Sequence, residues 1–314
     1  MEVFSIALIA VGVLLAAAVP GYLLMKKGVI SEACIPGFSK ILIYICQPCL
    51  AIYTFKSAEY SPQKLVDIGI FACLAIAIPT VMLASVFAAV NKKSREEVIY
   101  RIITIASAFG NCAFFGIPII EALFPVEVAK EVILYTTVYS VMMNITGWTV
   151  GSAIISRNTK YISLKKIILN PAFLGTAAAL VLFIFEIPVQ KDLLSMITSA
   201  AKMATPLSML VMGMRLATMK EFGLFLNYRL YLTVALKQFA LPLLAFLAVF
   251  FLPIDPTLGS VFFIISACPV AAVVLSYSEM VGEGQKEAAG VLLLGTVLSI
   301  VTLPIMALLL PLLG

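Results

Sequence analysis

The chain contains no histidine and few charged residues of either sign. Among its 314 residues, 21 are Lys or Arg and 16 are Asp or Glu, so charged residues make up 12% of the total. Histidine is the commonest metal ligand and general base near neutral pH, and no group of carboxylates lies within an apolar stretch to replace it. We therefore expect no catalytic residues, no metal site and no cofactor, which argues against a membrane enzyme.

Cysteine is also scarce, and its placement argues against a disulfide framework. The six cysteines all fall within apolar stretches of the chain, whereas disulfide-rich proteins carry theirs in loops exposed to an oxidising compartment. Cys46 and Cys49 form a C-x-x-C pattern across Pro48. Because there is no histidine and no second such pair, we interpret these two residues as small buried apolar side chains.

Long apolar runs dominate the remainder. Hydrophobic residues make up 62% of the chain and the mean hydropathy is +1.12, far above the values of soluble domains. A membrane-spanning helix needs about 20 mostly apolar residues. Ten stretches come close to this length, and we number them segments one to ten: 3–25, 34–55, 65–90, 100–123, 132–155, 171–187, 193–214, 228–252, 257–281 and 288–313. This pattern predicts an all-α polytopic membrane protein with ten transmembrane helices.

The basic residues are distributed unevenly between the two sides of the membrane. If the N-terminus is outside, 14 of the 21 basic residues fall on the inward side, Arg95 and Lys220 among them, and four fall in outward loops. Basic residues favour the cytoplasmic side, so we expect both termini outside a plasma membrane. The net charge of +5 is explained by this topology, and no nucleic-acid partner is needed.

The two halves of the chain resemble each other. Three pairs of matched residues lie at nearly one separation: Pro48 and Pro206 are 158 residues apart, Pro79 and Pro242 are 163, and Ser140 and Ser299 are 159. A unit with five crossings enters the membrane from the opposite side when it is repeated, so the repeats are inverted. We predict a first repeat at 1–155, a cytoplasmic linker at 156–170 and a second repeat at 171–314.

Segment four carries helix-breaking residues at its centre, in "AFGNCAFFGIPIIEALF", residues 108–124. At the same separation Gly110 matches Pro269 of segment nine, in "ISACPVAAVVLSYS". Both positions lie about halfway through their segments, near the bilayer midplane. Unpaired backbone groups persist in a membrane only where protein or a wet cavity satisfies them. We therefore expect both breaks to face inward and cross.

Such crossed breaks would form an anion site. Pro118 removes the usual partner of the Phe114 carbonyl, and Pro269 that of the Ile265 carbonyl. The half-helix N-termini carry free N–H groups and partial positive charge, and the Asn111 amide could donate to a carboxylate. The alternative interpretation is a pair of ordinary kinks, because proline and glycine are frequent in transmembrane helices.

Other polar residues within the segments could line this site. Gln47 and Thr205 precede the matched prolines, and Tyr139 and Asn144 lie in segment five. Lys237, in segment eight, could be a counter-ion for a substrate carboxylate or could cap the freed carbonyls of a broken helix. The candidate substrate-binding residues are Gly110, Asn111, Cys112, Gly116, Pro118, Cys268, Pro269, Val270, Gln47, Thr205, Tyr139, Asn144 and Lys237.

Several motifs resemble the auxin efflux carrier family in its short bacterial form. These are the segment-four stretch above, "NPAFLGTAAALVLF", "ATPLSMLVMGMRL" and "CPVAAVVLSYSEMVGEGQKEAAGVLLLGTVLSIVTLPI". The resemblance implies scaffold helices 1, 2, 6 and 7, transport helices 3 to 5 and 8 to 10, an elevator-type movement and a possible homodimer. It also implies organic-anion cargo, which is auxin in plants and malate, malonate or similar carboxylates in bacteria, and site roles for Asn111, Pro118 and Pro269.

Two alternatives to this reading remain. A sodium-coupled organic-anion symporter resembling the bile acid family shares ten helices and crossed breaks, although the block "SACPVAAVV" is more apolar than its ion ligands would require. A sensor or channel-like signalling protein would be expected to carry a soluble output domain. The sequence leaves open the identity of the cargo, the direction of transport and the ion coupling.

Overall fold

The computed structural model describes residues 2–94, 96–158, 160, 162, 164–219 and 225–313, and this part of the chain is helical without a β-strand. Arg95 and Lys220, which the sequence assigns to the inward side, lie outside the described residues, as do three residues of the predicted linker. The prediction of an all-α membrane protein is confirmed. Seven described helices are long and apolar enough to cross a membrane: Glu2–Lys26, Glu32–Lys56, Pro62–Lys93, Val126–Ser156, Lys191–Thr218, Tyr228–Phe251 and Gln285–Leu312.

These seven helices correspond to segments one, two, three, five, seven, eight and ten. Segment six is the shorter helix Pro171–Ile184. Segments four and nine each consist of two helices: Val98–Ala106 and Gly116–Leu123 in segment four, and Pro256–Ala267 and Val273–Val281 in segment nine. The short helix Leu164–Ile168 lies in the predicted linker. The count of ten spans stays a prediction.

Several helices begin where the sequence provides an N-cap. The Asn170 side chain accepts a hydrogen bond from the N–H of Ala172, and the Asp255 side chain accepts one from the N–H of Leu258. Each cap is followed by a proline, which needs no N–H partner in the first helical turn. The sequence pairs Asn-Pro and Asp-Pro therefore fix the starts of segments six and nine.

Within the described ranges, three helices contain a π-helical turn, at Leu42–Cys46, Gly147–Gly151 and Leu236–Ala240. The first and third turns come just before Pro48 and Pro242, where the missing proline N–H loosens the regular hydrogen-bond pattern. A π-turn inserts an additional residue and so changes which side chains face inward. The third π-turn contains Lys237 and Gln238, and both side chains are fully buried.

Segments one, two, six and seven pack through close glycine contacts. The second half of segment one lies against segment seven, and segment six lies against the second half of segment two. A Cβ atom at Gly213 would lie 1.8 Å from the Ala18 carbonyl oxygen, and one at Gly21 would lie 2.0 Å from the Leu210 carbonyl oxygen. Small residues permit such approach between membrane helices. These glycines therefore set the distance between segments one and seven.

An aromatic cluster joins segments three, five and nine. The ring of Phe71 lies 4.9 Å from that of Tyr135 and 5.3 Å from that of Phe262, and the rings of Tyr139 and Phe262 are 5.7 Å apart. Ring pairs at these separations stabilise a buried interface beyond the apolar area that they cover. The cluster holds the first helix of segment nine against segments three and five.

Candidate functional site

The breaks in segments four and nine contact each other directly. We call residues 107–115 the first interruption, residues 268–272 the second interruption and their contact the crossing. The backbone N–H of Asn111 donates to the Pro269 carbonyl over 2.7 Å, and the N–H of Ala271 donates to the Phe109 carbonyl over 2.9 Å. Gly110 and Val270 thereby face each other in an antiparallel bridge. Each interruption satisfies backbone groups that the other would leave unpaired.

The freed carbonyl in segment four is satisfied by another segment. Pro118 lies in the first turn of the helix Gly116–Leu123, where a proline costs no intrahelical hydrogen bond. The Phe114 carbonyl accepts a hydrogen bond of 3.0 Å from the Thr205 hydroxyl of segment seven. This bond connects the first interruption to the helix that contains Pro206.

The end of the first helix of segment nine is satisfied differently. The Ile265 carbonyl, which Pro269 was expected to free, accepts a hydrogen bond of 3.2 Å from the Cys268 N–H. Lys237 binds two carbonyls that follow Ile265 in the chain. Its Nζ donates to the Ser266 carbonyl over 2.7 Å and to the Cys268 carbonyl over 2.8 Å. A cation at a helix C-terminus is stabilised by the partial negative charge there. Of the two roles that the sequence left open for Lys237, these contacts are those of a cap.

Lys237 also contacts the first interruption. A Cβ atom built on Gly110 would lie 2.9 Å from Lys237 Nζ and 3.0 Å from Cε, so Gly110 provides the space that the lysine occupies. The lysine side chain has no exposed surface, and no ion pair involving it occurs within the described part of the chain. Its charge is therefore compensated by backbone carbonyls.

Gln238 is a second buried polar group, and the sequence reasoning did not assign it a function. Its Nε2 donates to the Gly295 carbonyl over 2.6 Å, and its Oε1 accepts from the Thr302 hydroxyl over 2.6 Å. These bonds join segment eight to segment ten. An amide beside a lysine within an apolar run was the signal that could have identified this residue.

A narrow cavity adjoins the first interruption at Ala113. Its volume of about 10 Å³ is enough for about one water molecule. Its lining combines residues of segments two and six with residues of segments four and five: Gln47, Leu50, Ala113, Thr137, Ser140, Val141, Ala172 and Thr176. Gln47 and Thr205, the residues before the two matched prolines, thus both approach the first interruption. Sequence reasoning did not single out Ala113, Thr137 or Thr176.

The predicted site residues divide into two groups by exposure. The partly exposed group consists of Asn111, Pro118, Gln47, Thr205 and Asn144. The buried group surrounds the crossing or lies behind it and consists of Gly110, Cys112, Gly116, Cys268, Pro269, Val270, Tyr139 and Lys237. The crossing itself is therefore buried, whereas Asn111 of the first interruption is partly exposed.

The two predicted site residues of segment five, Tyr139 and Asn144, differ in their surroundings. The Asn144 amide donates to the Ser140 carbonyl one turn earlier in its own helix, over 2.8 Å. The buried hydroxyls of Tyr139 and Ser266 lie near each other, and neither has another hydrogen-bond partner within the described residues. Gly116 lies close by, since a Cβ there would be 3.5 Å from Cys268 Sγ. Tyr139 and Gly116 thus pack near the buried side of the crossing.

Comparison with known protein families identifies the class of this chain. The sequence model of a family described as membrane transport protein matches residues 6–164 and 155–307. Together with the apolar helices, this match defines a multi-pass membrane transporter. The chain belongs to the membrane transport protein family, and the resemblance to the auxin efflux carriers is confirmed. A comparison with curated proteins gives no match.

Proposed function

We propose that this protein is a secondary transporter that moves a small organic anion, a carboxylate, across the plasma membrane. The observation that carries the proposal is the crossing, in which Asn111 and Pro269 share a backbone hydrogen bond of 2.7 Å. Crossed interruptions with half-helices around them are a recurrent form of substrate site in secondary transporters.

The charges at the crossing favour an anion. The helices Gly116–Leu123 and Val273–Val281 both begin at the interruptions, and a helix N-terminus presents free N–H groups and partial positive charge. The Lys237 ammonium adds a full positive charge beside Gly110. Neither interruption contains an Asp or Glu residue, so no carboxylate within the interruptions would repel an anionic cargo.

Two partly exposed amides at the first interruption could recognise the cargo, those of Asn111 and Gln47. The Asn111 backbone is used in the crossing, whereas its side-chain amide has no hydrogen-bond partner among the described residues. The amide of Gln47 lines the adjoining cavity. An amide N–H donates to a carboxylate without adding charge, which suits a site that must both bind and release its cargo.

The proposed movement is of the elevator type, with segments one, two, six and seven as scaffold. The cavity supports this division, because Gln47 and Ala172 line it from the scaffold side and Ala113 and Ser140 line it from the transport side. The ten spans, the inverted repeats and the outward termini belong to the same proposal. The proposed division of the chain into two repeats is supported by the family match, whose two ranges overlap only at residues 155–164.

A melting-temperature assay on the purified protein tests the proposal. Malonate, malate and indole-3-acetate should raise the melting temperature in a saturable manner, because a ligand that binds the native state stabilises it. Malonamide is the matched control, since it has the shape of malonate without the charge. Equal effects of malonate and malonamide, or no effect of any carboxylate, would contradict an anion site.

A further inference from the structure

The environment of Lys237 is that of a bound cation. Its Nζ lies 2.7 Å from the Ser266 carbonyl oxygen and 2.8 Å from the Cys268 carbonyl oxygen. Both carbonyls belong to the end of a half-helix and the chain that leaves it, and in secondary transporters such oxygens coordinate sodium ions. The thiols of Cys268 and Cys112 are the ionisable groups that interact electrostatically with this ammonium. Backbone oxygens thus surround a charge that is covalently attached to segment eight.

The same ammonium contacts both interruptions. It binds carbonyls of segment nine and lies against Gly110 of segment four, where an added Cβ would be 2.9 Å from Nζ. The π-turn Leu236–Ala240 positions the lysine so that it reaches this place. Pro79 of the first repeat matches Pro242 of the second at a separation of 163 residues. At this separation the residue that matches Lys237 is Leu74, and leucine carries no charge. The attached cation is thus confined to one half of the pseudo-symmetric site.

We propose that the Lys237 ammonium is a tethered resident cation that holds the two interruptions together and takes the place of a soluble monovalent coupling ion. Cargo transport then requires no sodium at the crossing. The statement about coupling rests on the proposed transport function, whereas the occupancy of the site by the lysine does not. Removal of the amine should leave a pocket that is lined by carbonyl oxygens and that a small cation can enter.

The test compares the wild-type protein with Lys237→Met, which is unbranched like lysine, lacks its charge and is one heavy atom shorter, so that the place of Nζ is left open. Melting temperatures are measured without cargo in choline, sodium, ammonium and methylammonium chloride at constant ionic strength. Lys40→Met is the control, because Lys40 is exposed near the end of segment two. Choline is too large for the pocket and gives the baseline for each variant.

For the wild type, and likewise for Lys40→Met, the melting temperature is expected to be the same in all four salts. In choline, Lys237→Met should have a lower melting temperature than the wild type. Ammonium or methylammonium should restore several degrees of this difference in a saturable manner. If folded Lys237→Met gains no stability from any small cation, the tethered-cation proposal is wrong. If the variant cannot be recovered folded, the wild type decides: a saturable stabilisation by sodium over choline would overturn the proposal, and equal melting would support it.

A separate arm keeps this outcome distinct from that of the transport proposal. Carboxylate-dependent stabilisation of the wild type is measured in sodium and in choline chloride. Equal carboxylate affinity in both salts is expected, and an affinity at least about ten-fold higher in sodium would overturn the inference while leaving an anion transporter intact. Failure of all carboxylates to bind would contradict the transport proposal and leave the cation result unaffected.

Discussion

The backbone N–H of Asn111 donates to the Pro269 carbonyl over 2.7 Å, which joins the centres of two segments 158 residues apart along the chain. The Asn111 side chain stays partly exposed, whereas the nearby Lys237 is fully buried. The main chain of one residue thus completes the crossing, and its amide remains for a ligand. This relationship separates the residues that build the site from those proposed to contact the cargo.

Gly110→Ala tests the space that the lysine needs. The new Cβ would lie 2.9 Å from Lys237 Nζ, so the ammonium must move away from its carbonyl partners. We expect a loss of about 1–3 kcal/mol in unfolding free energy, as for other overpacked sites, measured as a lower melting temperature. The control is Gly69→Ala, because a Cβ there meets no atom within 4 Å. Equal melting of the two variants would contradict the account of Gly110.

Gly213→Ala tests the contact between segments one and seven. Its Cβ would lie 1.8 Å from the Ala18 carbonyl oxygen, which belongs to the backbone and cannot move aside as a side chain can. We expect the helices to separate and the yield of folded protein to fall severely, as measured by size-exclusion chromatography after extraction. Gly12→Ala, on an open face of segment one, should give wild-type yield. A normal yield of Gly213→Ala would show that these helices do not pack as described.

Thr205→Val tests the connection of segment seven to the first interruption. Valine has nearly the shape of threonine but cannot donate to the Phe114 carbonyl, 3.0 Å away. Leaving a carbonyl unsatisfied costs about 1–3 kcal/mol, so the melting temperature should fall, and Thr205→Ser should restore it. Thr218→Val is the control, since that hydroxyl bonds only to the Arg215 carbonyl of its own helix. A Thr205→Ser protein as unstable as the valine variant would contradict this role.

Gln47→Ala tests whether the cavity beside the first interruption contacts cargo. Loss of one amide hydrogen bond to a carboxylate should raise the dissociation constant of the best carboxylate about three- to ten-fold, as measured by isothermal titration calorimetry. Gln190→Ala, at an exposed position without a capping hydrogen bond, should bind as the wild type does. Unchanged affinity in Gln47→Ala would exclude this residue from the cargo site.

Features that depend on local sequence were predictable. Pro118 and Pro269 marked the two interruptions, because a missing N–H and the lost carbonyl partner follow from proline itself. The matched prolines also pointed to Gln47 and Thr205, and both residues approach the first interruption. Asn-Pro at residues 170–171 gave the start of segment six. In each case the signal lay within a few residues of the feature.

Several features that depend on the details of contacts between segments could not be predicted. Whether Lys237 contacts cargo or carbonyls could not be decided from residue order alone, since that depends on a π-turn and on how the first helix of segment nine ends. The sequence suggested that Asn144 lines the site, and it could not show that this amide donates to the Ser140 carbonyl of its own helix. The role of Gly213 depends on the approach of segment one, which is distant in the chain. Tertiary packing decides such cases.

The measurement that tests the central claim most directly is carboxylate uptake into proteoliposomes by the wild type and Asn111→Ala, using the carboxylate that stabilises the purified protein most. We predict that Asn111→Ala keeps its melting temperature without cargo and loses at least about ten-fold in uptake at sub-saturating concentration, because its amide is reserved for the anion. Gln190→Ala should transport normally. Wild-type uptake by a folded Asn111→Ala protein would contradict the claim that the two interruptions form the cargo site.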